Sequence, residues 1–470
     1  MNHRSQIMNI PFNRTKTVAT LGPASSDPAV MRRMVRAGLD VFRLNFAHGT
    51  YPEFAGLIAR VREVSRRLSH PVGILQDLPG PKLRVGALSA DVELHRGDEA
   101  VLVAGRTGPA GTIPVTYPDL SRDLKPGHEV FIADGLIRLL VRAVKGGRVL
   151  CCVANGGIVR RGNGVNLPRS PLLLRAFTPE DARHLVFGLA HGVDFVGISF
   201  VGTKQDVDRV RAFCRRRGRT PFLIAKIERR VAVENLDDIL ESADGIMVAR
   251  GDLGVEFPFF KVPGLQEDIV ARARRRGRPV IVATQMLESM IQNPRPTRAE
   301  ATDVATAVRE GADAVMLSGE TAVGKYPVAA VEALWSVIGE TERRVRPFEA
   351  ISETGDLSDA VAREACRTAL SVGARWIVVP TRSGATAARV SRHRPDVRIL
   401  SLTSDEALRR RFSLYWGLDT EPLSVSVGHA GIVRRLLARR VVKTGQLLVF
   451  AGGAPGFPQG VTNLIHVVRV

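Results

Sequence analysis

Residues 195–228 read FVGISFVGTKQDVDRVRAFCRRRGRTPFLIAKIE. Two short apolar runs, Phe195–Phe200 and Leu223–Glu228, flank the amphipathic stretch Val207–Arg217. Strand, helix, strand is the order of a βαβ unit, because parallel strands need a long crossover. The same rhythm extends both ways. Further strands are expected at Lys16–Leu21, Val41–Phe46, Val72–Leu78, Gly245–Ala249, Val280–Thr284 and Ala314–Leu317. Helices are expected at Pro28–Ala37, Phe54–Leu68, Pro263–Arg275 and Val328–Arg344. Eight such strands predict an α/β fold closed into a (β/α)8 TIM barrel.

The rhythm breaks after Val85. Short alternating runs with Gly and Pro turns (Asp91–Leu94, Ala100–Val103, Glu129–Ala133, Leu136–Val144, Arg148–Ala154) read as a small all-β module. Inserted after the third strand, it sits at the barrel mouth, where it can act as a lid. From about Leu357 an α/β rhythm resumes and continues to the C-terminus. The expected division is barrel 12–85, lid 86–170, barrel 171–346 and a C-terminal α/β domain 356–470.

Composition narrows the function. The chain has 470 residues, 45% hydrophobic and 24% charged, enough for several packed cores. It has no run of about 18 apolar residues, so no membrane span is expected. The N-terminus lacks the apolar core of a secretory signal. Four cysteines without metal-type spacing suit a reducing, cytoplasmic setting. The formal charge of +20 comes from 67 basic residues, of which only nine are Lys. They lie along helix-like segments, and aromatics are only 5%. That favours solvated helix faces and an anion-handling site over a nucleic-acid partner.

Charged residues then collect at the expected mouth. Side chains alternate along a strand, so Lys226 and Glu228 share a face at the end of the fifth strand. Buried there, such a pair is expensive unless used. Asp252 follows the sixth strand in Ala249-Arg250-Gly251-Asp252, and Thr284 ends the seventh. Arg43 and Asn45 share a face on the second strand; Asp77 lies at the end of the third, and Lys82 and Arg84 follow it. Two carboxylates with open positions suit Mg2+, and cations beside them suit a phosphorylated or carboxylated substrate.

These residues lie in Thr20–Ser25, Arg43–Gly49, Gln76–Arg84, Ala225–Glu228, Met247–Glu256, Ala283–Met290, Asn293–Glu300 and Met316–Ala322. In that order they resemble the pyruvate kinase family over nearly the whole chain. The resemblance implies phosphoryl transfer from phosphoenolpyruvate to ADP in glycolysis, in a homotetramer, with Mg2+ (or Mn2+) as cofactor. It implies that Lys226 neutralises the phosphoryl group, that Glu228 and Asp252 hold the metal, and that the Gly251 amide faces the substrate carboxylate. Thr284 would lie on the proton path. Arg43 would grip the transferring phosphate and Arg84 the nucleotide.

Several positions depart from the family pattern. Ala47 stands where Ser is common, Leu78 where Thr is common, and Lys82 where Glu is common. Asn45 and Asp77 remain of the monovalent-cation set. The Lys82 ammonium is therefore expected to replace K+, which makes the enzyme K+-independent. Glu180 stands where a nucleotide-side Lys is frequent, leaving the choice of nucleoside diphosphate open. In the C-terminal domain Thr381, Arg382, Ser383 and Thr386 open a helix and suggest a phosphorylated effector. Another phosphoenolpyruvate or pyruvate barrel lyase, or a basic binding protein with an inactive barrel, would share parts of this pattern.

Overall fold

The computed structural model describes residues 12–81, 83–133, 135–168, 175–345, 356–423, 428–454 and 460–470. The expectation placed on Lys82 falls outside them. Eight parallel strands close a barrel: Lys16–Thr20, Val41–Asn45, Gly73–Leu78, Phe195–Ile198, Phe222–Ile227, Gly245–Ala249, Val280–Ala283 and Ala314–Leu317. The first and last pair directly, Lys16 opposite Ala314.

Period-two alternation sorts each strand into two environments. On the fifth strand, Leu223, Ala225 and Ile227 join the core under the helices, while Phe222 and Ile224 fill the barrel lumen. Val41 and Leu75 fill the lumen from the second and third strands. The next residues of the same register are Lys226, Arg43 and Asp77. The lumen is thus apolar below and charged above. Leu414, from the C-terminal domain, packs into the lower layer and is almost fully buried.

Several expected strands end one or two residues early. Phe200 and Thr284 have φ of +58° and +70°, which no strand accommodates, so the chain turns there to build the mouth.

The insertion is mostly sheet: a six-stranded and a two-stranded sheet around a core that includes Leu102, Val130, Leu139 and Val149. The all-β reading needs one amendment, a single helical turn at Leu120–Asp123. The insertion's two connections meet where the Gly80 amide donates to Asp181 Oδ1 at 3.1 Å. Asp181 Oδ2 also accepts from the Thr178 amide and hydroxyl, at 2.9 and 2.6 Å, at the start of helix Pro179–Ala190. Gly80 has φ +65°, and a Cβ there would stand 3.1 Å from both Phe200 and Ser199.

The C-terminal domain carries five strands in the spatial order Leu418–Glu421, Arg398–Leu402, Trp376–Pro380, Leu447–Gly452, Leu464–Arg469; the last is antiparallel. Sequence reading passed over Leu418–Glu421 and helix His429–Ala438. The strand is short and half polar, and the helix follows Gly428, with no side-chain cap to announce it. Arg394 joins this domain to the barrel. It is 1% exposed, pairs with Asp313 at 2.9 Å and donates to the Gly311 carbonyl at 3.0 Å. Removing one partner of such a buried pair typically costs about 3–5 kcal/mol. A cavity of about 580 Å3 lies at the same junction, below the barrel, lined by Lys16, Asp40, His70, Arg409 and Asp419. No helix among the described residues is long and apolar enough to cross a membrane.

Candidate active site

The barrel mouth gathers one cluster from five strand ends. Lys226 Nζ donates to Ser199 Oγ at 2.7 Å and pairs with Glu228 Oε1 at 2.8 Å. Asp77 Oδ1 lies 3.3 Å from it, at ion-pair distance. Arg43 Nε donates to Asp77 Oδ2 at 2.8 Å, and Arg43 also donates to Thr20 Oγ1 at 2.9 Å. Asp77 and Glu228 are 2% and 3% exposed, so the ion pairs act with little solvent screening. Close approach makes this possible: a Cβ on Gly197 would stand 3.1 Å from Asp77 Oδ1.

Charge states follow from this packing. Burial opposes charging of Lys226, but Asp77 and Glu228 outweigh it, with Arg43 opposing and Asp252 adding a little. The ammonium is therefore held above the ordinary Lys value. Burial likewise pushes the Asp77 carboxyl up, yet Lys226 and Arg43 together hold it below the usual carboxylate range.

Glu228 Oε2 accepts from the Phe200 amide at 2.8 Å, leaving its other oxygen beside Lys226. Asp252 lies half-buried in the first turn of the short helix Arg250–Glu256, directly after the sixth strand. Strands five and six are neighbours, so both carboxylates stand over the same sector of the mouth. Among the described residues no group of three or more His, Cys, Asp or Glu is placed to hold a metal ion. Two hard oxygen donors, the rest left to substrate and water, fit Mg2+ better than a metal that needs a full protein cage.

Thr284 is bound into a strained turn. Its Oγ1 donates to the Ala283 carbonyl at 2.6 Å and accepts from the Gly251 amide at 2.8 Å. Thr284 and Gln285 both have positive φ, +70° and +54°. Arg250 holds the turn, donating to the Thr284 and Gln285 carbonyls at 2.7 and 3.1 Å and pairing with Asp303 at 2.7 Å. The Gly251 amide, expected to face substrate, is here engaged by Thr284.

Arg84 stands apart from the cluster, at the root of the lid, donating to the Gly162 carbonyl at 2.9 Å. Asn45 Oδ1 accepts from the Ala47 amide at 3.2 Å. Glu180 is exposed in the first turn of its helix. In the C-terminal domain Thr381 Oγ1 accepts from the Gly384 amide at 2.8 Å, and Thr386 Oγ1 meets Thr462 Oγ1 at 2.8 Å. Arg382 and Ser383 are exposed at the tip. Sequence reading missed Ser199, Phe200, Thr20 and Arg250 as site residues. Ser and Thr at strand ends carry no signal of their own, and Arg250 is one arginine among many.

Two family models match the chain, and the first contains the whole mouth cluster. The pyruvate kinase barrel domain matches residues 12–331, and the pyruvate kinase alpha/beta domain matches residues 359–468. The chain belongs to the pyruvate kinase family. Among its relatives, a pyruvate kinase of Thermococcus litoralis is 38% identical over 98% of this chain and the whole of the relative. One of Agrobacterium vitis is 41% identical over 97% of each chain. One of Geobacillus stearothermophilus is 40% identical over 97% of this chain and 80% of the relative. Like the rest of the pyruvate kinase family, this chain is a phosphotransferase.

Proposed function

We propose that the mouth cluster transfers the phosphoryl group of phosphoenolpyruvate to ADP, giving pyruvate and ATP. The observation that carries this reading is the fixed ammonium of Lys226, held in the lumen by Ser199, Glu228 and Asp77 beside Arg43. Phosphoryl transfer is mainly positioning and charge neutralisation, and such a preorganised cation supplies both. Lys226 neutralises the phosphoryl group in flight and the enolate oxygen left behind. Arg43, oriented by Asp77 and Thr20, holds the phosphate. Thr284 lies on the path that delivers a proton to the enolate carbon. Arg84 meets the nucleotide as the lid closes. Glu228 and Asp252 are the residues that would hold Mg2+, or Mn2+ in its place; when bound, the ion supplies Lewis-acid charge neutralisation.

Pyruvate formation, followed through lactate dehydrogenase and NADH, is expected to require ADP and a divalent ion. Pyruvate released without ADP would overturn the reading in favour of a lyase or phosphatase. A panel of nucleoside diphosphates in the same assay decides the preference at Glu180.

The reading extends to a cytoplasmic homotetramer with a regulatory C-terminal domain. A phosphorylated metabolite binds over Arg382 and Ser383 at the N-terminus of helix Ala385–Arg392. Gly460 lies close by: a Cβ there would stand 4.0 Å from Ser383 Oγ, so two loops meet at this point. Allosteric couplings of about 1–3 kcal/mol predict a roughly 5–150-fold shift in the half-saturating phosphoenolpyruvate concentration. Sugar phosphates and nucleoside monophosphates are to be titrated against the saturation curve. No shift with any of them, or an unaltered response in Ser383→Glu, would leave the loop as a helix cap only.

A further inference from the structure

An ammonium has three protons and no preferred direction of its own, so its position is set by what surrounds it. Three oxygens surround Lys226 Nζ, and they differ in kind. Glu228 Oε1 and Asp77 Oδ1 are charged, at 2.8 and 3.3 Å; Ser199 Oγ is neutral, at 2.7 Å. Two carboxylates alone would draw the ammonium toward themselves, into the floor of the mouth. A third, neutral acceptor fixes one N–H vector without adding negative charge that would repel an anionic substrate.

Ser199 is well placed for that task. It follows the fourth strand immediately and is only 3% exposed. The next residue, Phe200, has φ +58°, an uncommon conformation for a bulky side chain and a mark of a site held by its surroundings. This turn aims the Phe200 amide at Glu228 Oε2, at 2.8 Å. Gly80, on the connection to the lid, packs on the same two residues: its missing Cβ would meet both at 3.1 Å. One corner therefore holds Lys226 by a hydroxyl and Glu228 by an amide, and is backed by a lid connection.

We infer that Ser199 is a positioning residue for phosphoryl transfer, acting through the Lys226 ammonium. The inference rests on the role proposed above for Lys226. Ser199 touches no reacting atom; it sets where the cation stands when the phosphoryl group passes.

The test is Ser199→Ala in the full-length enzyme, with Ser199→Thr and Lys226→Met in parallel. Misplacing a catalytic group by about 1 Å can lower rate about 10²-fold, so Ser199→Ala is expected to lose roughly 10- to 10²-fold in kcat. Its KM for ADP and its thermal midpoint should stay at wild-type values, because the change deletes one oxygen and leaves the chain's packing intact. Ser199→Thr, which keeps a hydroxyl at the same strand end, should recover most of the rate. A wild-type kcat in Ser199→Ala, or a Ser199→Thr as slow as Ser199→Ala, would overturn the inference. So would a loss accompanied by an equal fall in thermal midpoint in both variants, since that is a packing effect. The underlying reading fails separately: if Lys226→Met turns over normally, the role of Lys226 is wrong, whatever Ser199 does.

Discussion

Lys226→Met is expected to lower turnover by at least about 10³-fold, because it removes a preorganised charge from a water-poor site. The Met side chain matches the length of the Lys stem, so the lumen stays filled. Divalent-ion binding by Glu228 and Asp252 should persist, which Mn2+ titration followed by electron paramagnetic resonance can check. The substitution also strips a cation from Asp77, whose carboxyl Lys226 and Arg43 together hold below the usual range. A depressed carboxyl stabilises the fold above its unfolded pKa, and that contribution is lost as pH falls through the folded value. The variant should therefore show less of this acid-side dependence, read as the change in thermal midpoint as pH falls below about 4, the ordinary Asp value. Turnover near that of the wild type would remove Lys226 from the mechanism.

Potassium gives the second large effect. We propose that the Lys82 ammonium stands in for the monovalent cation. Three features of the expected monovalent-cation set support this. Ala47 offers no hydroxyl, Asn45 Oδ1 is committed to the Ala47 amide, and Asp77 is shared by Arg43 and Lys226. A second cation about 4 Å from an ammonium costs about 4 kcal/mol at an effective dielectric near 20. Activity should thus be the same in K+ and in a tetraalkylammonium salt at equal ionic strength. Lys82→Glu should lose most activity, about 10²-fold if one charge on the transfer path is lost. Added K+ should restore only part of it, since Ala47 still lacks an oxygen. A large activation of the wild type by K+, or a fully K+-independent Lys82→Glu, would each refute the idea.

Much of the site was legible because strand periodicity is local. Lys226 and Glu228 two residues apart, and Val41 before Arg43, say which side chains share a face without any tertiary information. The eightfold alternation of strands and helices likewise announced the barrel, and the loss of that rhythm after Val85 announced the insertion. Glycine and proline marked turns, but not how the turns are used. Gly197 reads as an ordinary small strand residue until its neighbour proves to be Asp77 Oδ1.

The sequence by itself determined the fold class, the order of the domains and the set of charged residues at strand ends. These depend on period and spacing along one segment at a time. Only the tertiary structure decided which of them meet. It put Asp77 between Arg43 and Lys226, left Arg84 at the lid root, tied the Gly251 amide to Thr284, and brought Ser199 and Phe200 under Lys226 and Glu228. The reason is physical. A hydroxyl or an amide gains its function from a partner contributed by another strand, and barrel closure, which sets those distances, is a property of all eight strands together.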